Sequence, residues 1–367
     1  MQATHSPLKT ACTCAVLIAL TLALSISSMA QHKVLLGVKY GDNGASMTDL
    51  KNLEKWQGKK NATVLMFTKM CNSTSYMDSF FKYQLPPIWN NHNVPIISWE
   101  AYLCGTTPGT IEGQVANGTY DSYIKAWATR LKTWLKGPDG VYGTSDDRRV
   151  YIRMPHEMNG NWYPWSPTSS GEAPWQYVNM FRRVHNIFES LGLSSSHVQF
   201  MWIPNANGKY TAESFYPGDG YVDWVGLDGY NFGTLLASGW MTPAKRMDDM
   251  VSRVKKLTSK PMALVETASS CKTTSGCSTS AKNTWMSQLF AYAQTKGIKM
   301  VVYFNKDVKG DFMMFGGSTG YSSATVNGKW YRTYPAYRSA ILQSWVAGSE
   351  SWNPRILTDS EFAGKFY

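Results

Sequence analysis

Arg149-Val-Tyr-Ile-Arg153-Met-Pro-His-Glu-Met-Asn-Gly-Asn-Trp-Tyr-Pro-Trp165 begins as a strand and ends as a loop crowded with reactive side chains. The run from Arg149 to Arg153, with its β-branched and aromatic centre, suits a buried strand. Immediately beyond it, Glu157 stands among a cation (Arg153), an imidazole (His156), an amide (Asn159) and three aromatic rings. So many polar and aromatic groups beside a strand end point to a site rather than to a structural loop with a surface Glu. Aromatic rings stack on sugar faces, Arg, Asn and His bind hydroxyls, and a carboxyl group in such company can be tuned for proton transfer.

This strand is one of eight. Short apolar runs span Val34–Val38, Ala62–Phe67, Val94–Trp99, Arg149–Arg153, Val198–Trp202, Asp223–Leu227, Met262–Glu266 and Met300–Phe304. Their β-branched and aromatic content fits buried parallel strands. Between them lie amphipathic segments such as Tyr120–Leu135, Trp175–Leu191, Pro243–Leu257 and Thr284–Thr295. The alternation predicts an α/β architecture, and eight units predict a closed (β/α)8 TIM barrel rather than a doubly wound open sheet. The 367 residues suffice for one such barrel with insertions, and no internal repeat suggests a solenoid. One catalytic domain is expected over residues 31–350, with a last helix over Pro335–Val346 and a tail over residues 351–367.

Residues 1–30 read as a secretory signal. Lys9 gives a weakly basic start, Ala15–Leu24 an apolar centre too short to span a membrane, and Ser28-Met-Ala30 a small-x-small cleavage site. Secretion into an oxidising compartment follows. Cys12 and Cys14 leave with the signal, and Cys71, Cys104, Cys271 and Cys277 remain. Three pairings are open to them; Cys271 and Cys277, six apart in a Ser/Thr/Gly-rich loop, favour each other and leave Cys71 with Cys104. Scattered spacing and the absence of a His pair argue against a metal site. Three sequons, Asn61, Asn72 and Asn117, are candidates for glycosylation. The formal charge of +11 would suit acidic polymers, but the basic residues are dispersed as short pairs such as Lys59-Lys60 and Arg182-Arg183. Neither a nucleic-acid nor a membrane partner is expected. Asp139, Asp146 and Asp147, in the insertion before the fourth strand, read better as a Gly/Asp turn than as Ca²⁺ ligands.

Four stretches, in order, resemble glycoside hydrolase family 26, a family of retaining endo-β-glycanases best known for β-mannanases. They are the Arg153–Trp165 segment, Val222-Asp-Trp-Val-Gly-Leu-Asp-Gly-Tyr-Asn231, Lys260-Pro-Met-Ala-Leu-Val-Glu266 and Val301-Val-Tyr-Phe-Asn305, and the likeness runs from about Val34 to Tyr337. The resemblance implies the same barrel, with Glu157 as acid/base and Glu266 as nucleophile. It also implies sugar or catalytic contacts for His156, a stacking ring at Trp162, and a hydroxyl donor from Tyr230, paired with Asp228 near the nucleophile. Phe312, in Lys309-Gly-Asp-Phe312 after the eighth strand, stands where the family usually carries a stacking Trp.

Chemistry agrees. Reactive groups of a barrel gather at the C-terminal ends of its strands, and glycoside hydrolysis needs two carboxyl groups there. Arg153 is the cation available to keep Glu266 ionised. Asn159, Trp165, Trp99 with Glu100, and Trp202 with Asn205 also lie at strand ends and are expected to line the cleft. No metal or organic cofactor is needed, and the expected partner is a polysaccharide met by a monomer. β-Mannan ranks first, with mixed-linkage β-1,3-1,4-glucan and β-xylan as alternatives. A non-catalytic carbohydrate-binding protein is the alternative from another class; it would normally have lost a carboxylate, whereas Glu157 and Glu266 are both present.

Overall fold

The computed structural model describes residues 1–2, 32–40, 46–71, 73–167, 171 and 173–366. The expected signal sequence, apart from its first two residues, and the Asn72 sequon lie outside the described residues.

From His32 onward the chain is a closed barrel of eight parallel strands. They are β1 (Val34–Tyr40), β2 (Thr63–Lys69), β3 (Val94–Glu100), β4 (Val150–Arg153), β5 (Val198–Trp202), β6 (Trp224–Asn231), β7 (Met262–Ser269) and β8 (Met300–Asn305). Each pairs with its sequence neighbour, and β8 closes on β1 through six registered pairs from Leu35–Met300 to Tyr40–Asn305. Helices such as Asp121–Leu135, Pro174–Ser190, Pro243–Leu257 and Thr279–Thr295 follow the strands. A hairpin, Ser322–Val326 with Lys329–Thr333, falls in the Gly- and aromatic-rich region after β8. The insertion before β4 is a turn: Asp147 accepts from the Gly137 and Thr144 amides and pairs with His197 at 3.0 Å.

Period-two alternation divides each strand between two cores. Leu35, Leu65, Ile96, Tyr151, Met201, Trp224, Val265 and Val302 fill the barrel interior, while Leu36, Val64, Ile97, Ile152 and Leu264 join the layer that includes the helices. The C-terminal segment belongs to the inner core. Ile356, Leu357, Phe362 and Phe366 cluster with the barrel residues at its N-terminal end. Arg149 donates to the Leu357 carbonyl at 2.9 Å, and Tyr151 and Trp224 both donate to the Phe362 carbonyl. The last residues therefore seal the bottom of the barrel and leave its opposite mouth for the site.

Strict alternation would turn Glu266 away from that mouth, because Ala263 and Val265 already face inward. Instead the ladder slips. Leu264 pairs with Leu227 and Val301, but Glu266 pairs with Asp228 and Thr267 with Tyr303. One extra residue in β7 is a bulge, and it re-aims the next side chain. Val265 and Glu266 thus both point inward.

Two disulfides close loops at the strand ends: Cys71–Cys104, after β2 and β3, and Cys271–Cys277, after β7. No helix among the described residues is long and apolar enough to cross a membrane.

Candidate active site

Arg153, the last residue of β4, organises the barrel mouth from beneath. Its side chain is fully buried. Nη1 donates to both Asp228 oxygens, at 3.2 and 2.9 Å, Nη2 to Glu266 Oε1, and Nε to Ser98 Oγ at 3.0 Å. Burial works against the cation, yet Glu266 and Asp228 outweigh it and hold its pKa above the ordinary guanidinium value. The other oxygen of Glu266 accepts from the Tyr230 hydroxyl at 2.5 Å. Both oxygens of the Glu266 carboxyl are thus engaged, one by a fixed cation and one by a phenol, and its orientation is set.

Glu157 is built differently. It follows β4 in a left-handed backbone conformation, φ 52°, a region that residues with a side chain seldom occupy. Its amide donates to the Ile203 carbonyl at 2.8 Å, and its carbonyl accepts from Gly160 at 2.8 Å. The strained residue is thereby tied to the end of β5 on one side and to its own loop on the other. Its oxygens accept from Asn205 Nδ2 at 2.7 Å and from the Trp162 indole at 2.8 Å. Burial, then the Glu266 charge, push the Glu157 carboxyl up to about 7, against the pull of those two donors and of Arg153. Two carboxyl groups in one cleft thus have unlike surroundings, one raised to about 7 and one bonded to a guanidinium.

The surrounding residues hold this pair. The Asn159 side chain donates to the Asn205 carbonyl at 2.9 Å and accepts from the Asn205 backbone amide at 2.8 Å. Gly208 permits this, since a Cβ there would stand 2.2 Å from Asn159 Nδ2. His156 touches Tyr163 Oη at 3.0 Å and Ser98 Oγ at 3.3 Å, and burial followed by the Arg153 charge holds its pKa well below the usual imidazole value. It is a neutral hydrogen-bonding group.

The cleft has a volume of about 920 Å³, in the upper range for ligand sites. Trp162, 45% exposed, offers a free aromatic face, and Phe67, Tyr102, Tyr163, Phe304 and Phe312 add rings. Three expected cleft residues lie elsewhere. Trp99 faces outward from β3 and packs on Trp127 and Phe188. Trp202 is buried against Tyr216, with its indole bonded to the Phe215 carbonyl. Trp165 is fully buried, stacked on Tyr163 and bonded to the His156 carbonyl, so it supports the site from behind. Asn61 is no glycan acceptor, because it is buried with its amide bonded to Glu54; Asn117 is exposed. Phe67, Tyr102, Tyr163, Phe304, Asn207 and Arg246 were not singled out from sequence. The two phenylalanines were within reach of it, since Phe67 lies two residues beyond inward-facing Leu65, and Phe304 two beyond Val302.

Two groups of side chains have metal-ligand types in proximity. In His156, Asp228 and Glu266, the Arg153 guanidinium bonds both carboxylates and takes the place of a cation. In Cys271, Cys277 and Asp311, the sulfurs are joined to each other and are not thiolates.

Fold and site together define a (β/α)8-barrel protein with two unlike carboxyl groups in an aromatic cleft. The model of glycosyl hydrolase family 26 matches residues 143–255, the part that carries Arg153, Glu157, Asp228 and Tyr230. The chain is 28% identical to Endoglucanase H of Acetivibrio thermocellus over 232 residues, 61% of this chain and 23% of that protein. It is 24% identical over 260 residues to a mannan endo-1,4-beta-mannosidase of Bacillus subtilis, 67% of this chain and 69% of that one. The chain thus spans under a quarter of the endoglucanase's length. The structure of Bacillus subtilis mannanase man26 superposes with a TM-score of 0.57 at 18% identity, covering 90% of this chain and 91% of that one. This likeness extends to the fold.

Proposed function

We propose that the protein is a secreted retaining endo-β-glycanase acting on internal β-1,4 linkages, with β-mannan as its first substrate. The observation that carries the reading is the division of labour between a Glu157 carboxyl raised to about 7 and a Glu266 carboxylate held by Arg153 and Tyr230. Protonated Glu157 gives its proton to the departing glycosidic oxygen while Glu266 attacks the anomeric carbon, forming a glycosyl ester. Esterification removes the Glu266 charge, one of the two causes that raise Glu157. The pKa of Glu157 then falls, and the carboxylate left by the first step takes a proton from the incoming water. Trp162 stacks against a sugar ring, His156 and Asn159 with Asn205 shape the centre, and Phe312 supports a ring on the β8 side. The mannosidase relative supports mannan. A β-glucan is the second reading, supported by the likeness to Endoglucanase H. Residues 1–30 and the two disulfides support export.

The test is hydrolysis of mannan, glucomannan, barley β-glucan, laminarin, carboxymethylcellulose and xylans, with products sized beside Glu157→Ala and Glu266→Ala. Oligomers released from mannan, and lost in both variants, are the expected result. Release from β-glucan alone moves the substrate to the second reading. Polymer binding without any release, by a folded protein, overturns the enzyme and leaves a carbohydrate-binding protein.

A further inference from the structure

Arg246 is a cation in an unusual place. It lies in the first turn of the helix Pro243–Leu257, where a positive side chain meets the like-signed end of the helix dipole. Its location is therefore not explained by helix stability. It pairs with no carboxylate among the described residues, unlike Arg253 on the same helix, which binds Glu213 and Asp249. Instead Arg246 lines the cleft together with Asn207. With the Asn207 amide oxygen turned toward it, Arg246 Nη1 and Nε donate at 3.2 and 3.3 Å. A guanidinium has five N–H donors, so three remain for a ligand. The neighbouring contacts fix where this wall lies. The Asn207 backbone N–H donates to Asn205 Oδ1, and Asn205 Nδ2 donates to Glu157. Arg246 therefore stands beyond Asn207 in a chain of contacts leading from the acid/base carboxyl. Lys309, exposed on the loop after β8, lines the same cleft.

A half-buried guanidinium, steadied by one amide and lacking an anion, is complementary to an anionic group that presents two oxygens side by side. We propose that this wall of the cleft binds an acidic sugar unit, one bearing a carboxylate or a sulfate ester, so that the protein selects polysaccharides with acidic residues or branches over wholly neutral ones. The excess of basic residues over the whole chain draws the same polymers from solution. The inference uses the endo-glycanase reading to place a polymer in the cleft, but it concerns binding and does not require cleavage.

The experiment compares three forms of one β-linked polymer: neutral, partly oxidised to uronate, and partly sulfated. Affinity electrophoresis at about 0.02 and about 0.2 M salt gives binding, and kcat/KM is measured wherever cleavage occurs. The full-length mature protein is expected to favour at least one acidic form by about fivefold at low salt, with the preference shrinking at high salt. Arg246→Gln brings the acidic-to-neutral ratio close to one, and Lys309→Gln removes a smaller part. Arg246→Lys keeps a point charge but not the fork; it retains a sulfate preference and loses a carboxylate one, which separates the two sources of negative charge. The ratio is read because general damage to the cleft lowers both forms alike. Asn207→Ala, which frees the guanidinium from its positioning amide, lowers the ratio without removing the charge and serves if Arg246→Gln fails to fold. Equal binding of all three forms, or a preference unchanged in Arg246→Gln, overturns the proposal. Cleavage without acidic preference sinks this inference alone; acidic preference without cleavage sinks the enzymatic reading and leaves this one standing.

Discussion

Replacing Trp162 by Phe should move the alkaline limb of activity to higher pH. The change keeps an aromatic face for a sugar, though a smaller one, and deletes the indole N–H that donates to Glu157 Oε2 at 2.8 Å. That bond favours the ionised carboxyl, so losing it raises the Glu157 pKa. A hydrogen bond to a charged group is worth about 1.5–3 kcal/mol. Trp162 is 45% exposed, and water partly replaces its donor. Discounting accordingly leaves about 1 kcal/mol, or about 0.7 of a pH unit at 1.36 kcal/mol per unit. In the proposed role Glu157 acts protonated, so the alkaline limb of kcat/KM, expected near 7 in the parent from its raised carboxyl, should shift to between about 7.5 and 8. The assay is the pH profile of kcat/KM on the best polymer. The acid limb, governed by other groups, should stay in place. An alkaline limb that does not move, or that moves to lower pH, would refute the assignment of Glu157 as a proton donor tuned by Trp162.

Four further outcomes are expected. Glu157→Gln should stabilise the fold above pH 7, because the parent must ionise a carboxyl whose folded pKa is about 7 rather than 4.5; the gain, at most about 3 kcal/mol, should fade as pH falls from 7 through 4.5, as urea titrations at several pH values will show. Arg153→Leu leaves Asp228 and Glu266 buried without their cation and should cost about 3–5 kcal/mol, read from the denaturant midpoint, together with activity. Deleting residues 351–367 removes Ile356, Leu357, Phe362 and Phe366 from the inner core; at about 1.5–3 kcal/mol each, the loss rivals the stability of a whole domain, and the truncated protein should not purify as a cooperatively melting fold. Cys71→Ser with Cys104→Ser opens a 33-residue loop and should cost at most about 4 kcal/mol, seen as a lower Tm.

Local chemistry carried a large share of the fold. Eight apolar runs fall on eight barrel strands, because β-branched and aromatic periodicity is written residue by residue. The motif around Glu157 was legible for the same reason: its cation, imidazole, amide and rings are contiguous in the chain. Which tryptophans face a sugar was not legible. Trp99, Trp162, Trp165 and Trp202 all lie near strand ends, yet only Trp162 keeps an exposed face, and a single side chain's facing depends on what packs around it. The C-terminal segment read as a tail because its four apolar residues have no period of their own; their partners are Arg149, Tyr151 and Trp224, far away in sequence.

The sequence by itself determined the barrel class, the two carboxyl groups and the aromatic loop beside one of them, since each is a property of neighbouring residues. Tertiary structure alone decided how those groups meet. The bulge that brings Glu266 inward is a slip between three strands. The bridge from Arg153 to Asp228 and Glu266 joins β4 to β6 and β7. The left-handed backbone at Glu157 is held by a bond to Ile203, beyond the end of β5. Each arises from long-range packing of strands around one axis, where a shift of one residue reverses a side chain's direction, and no local pattern encodes that shift.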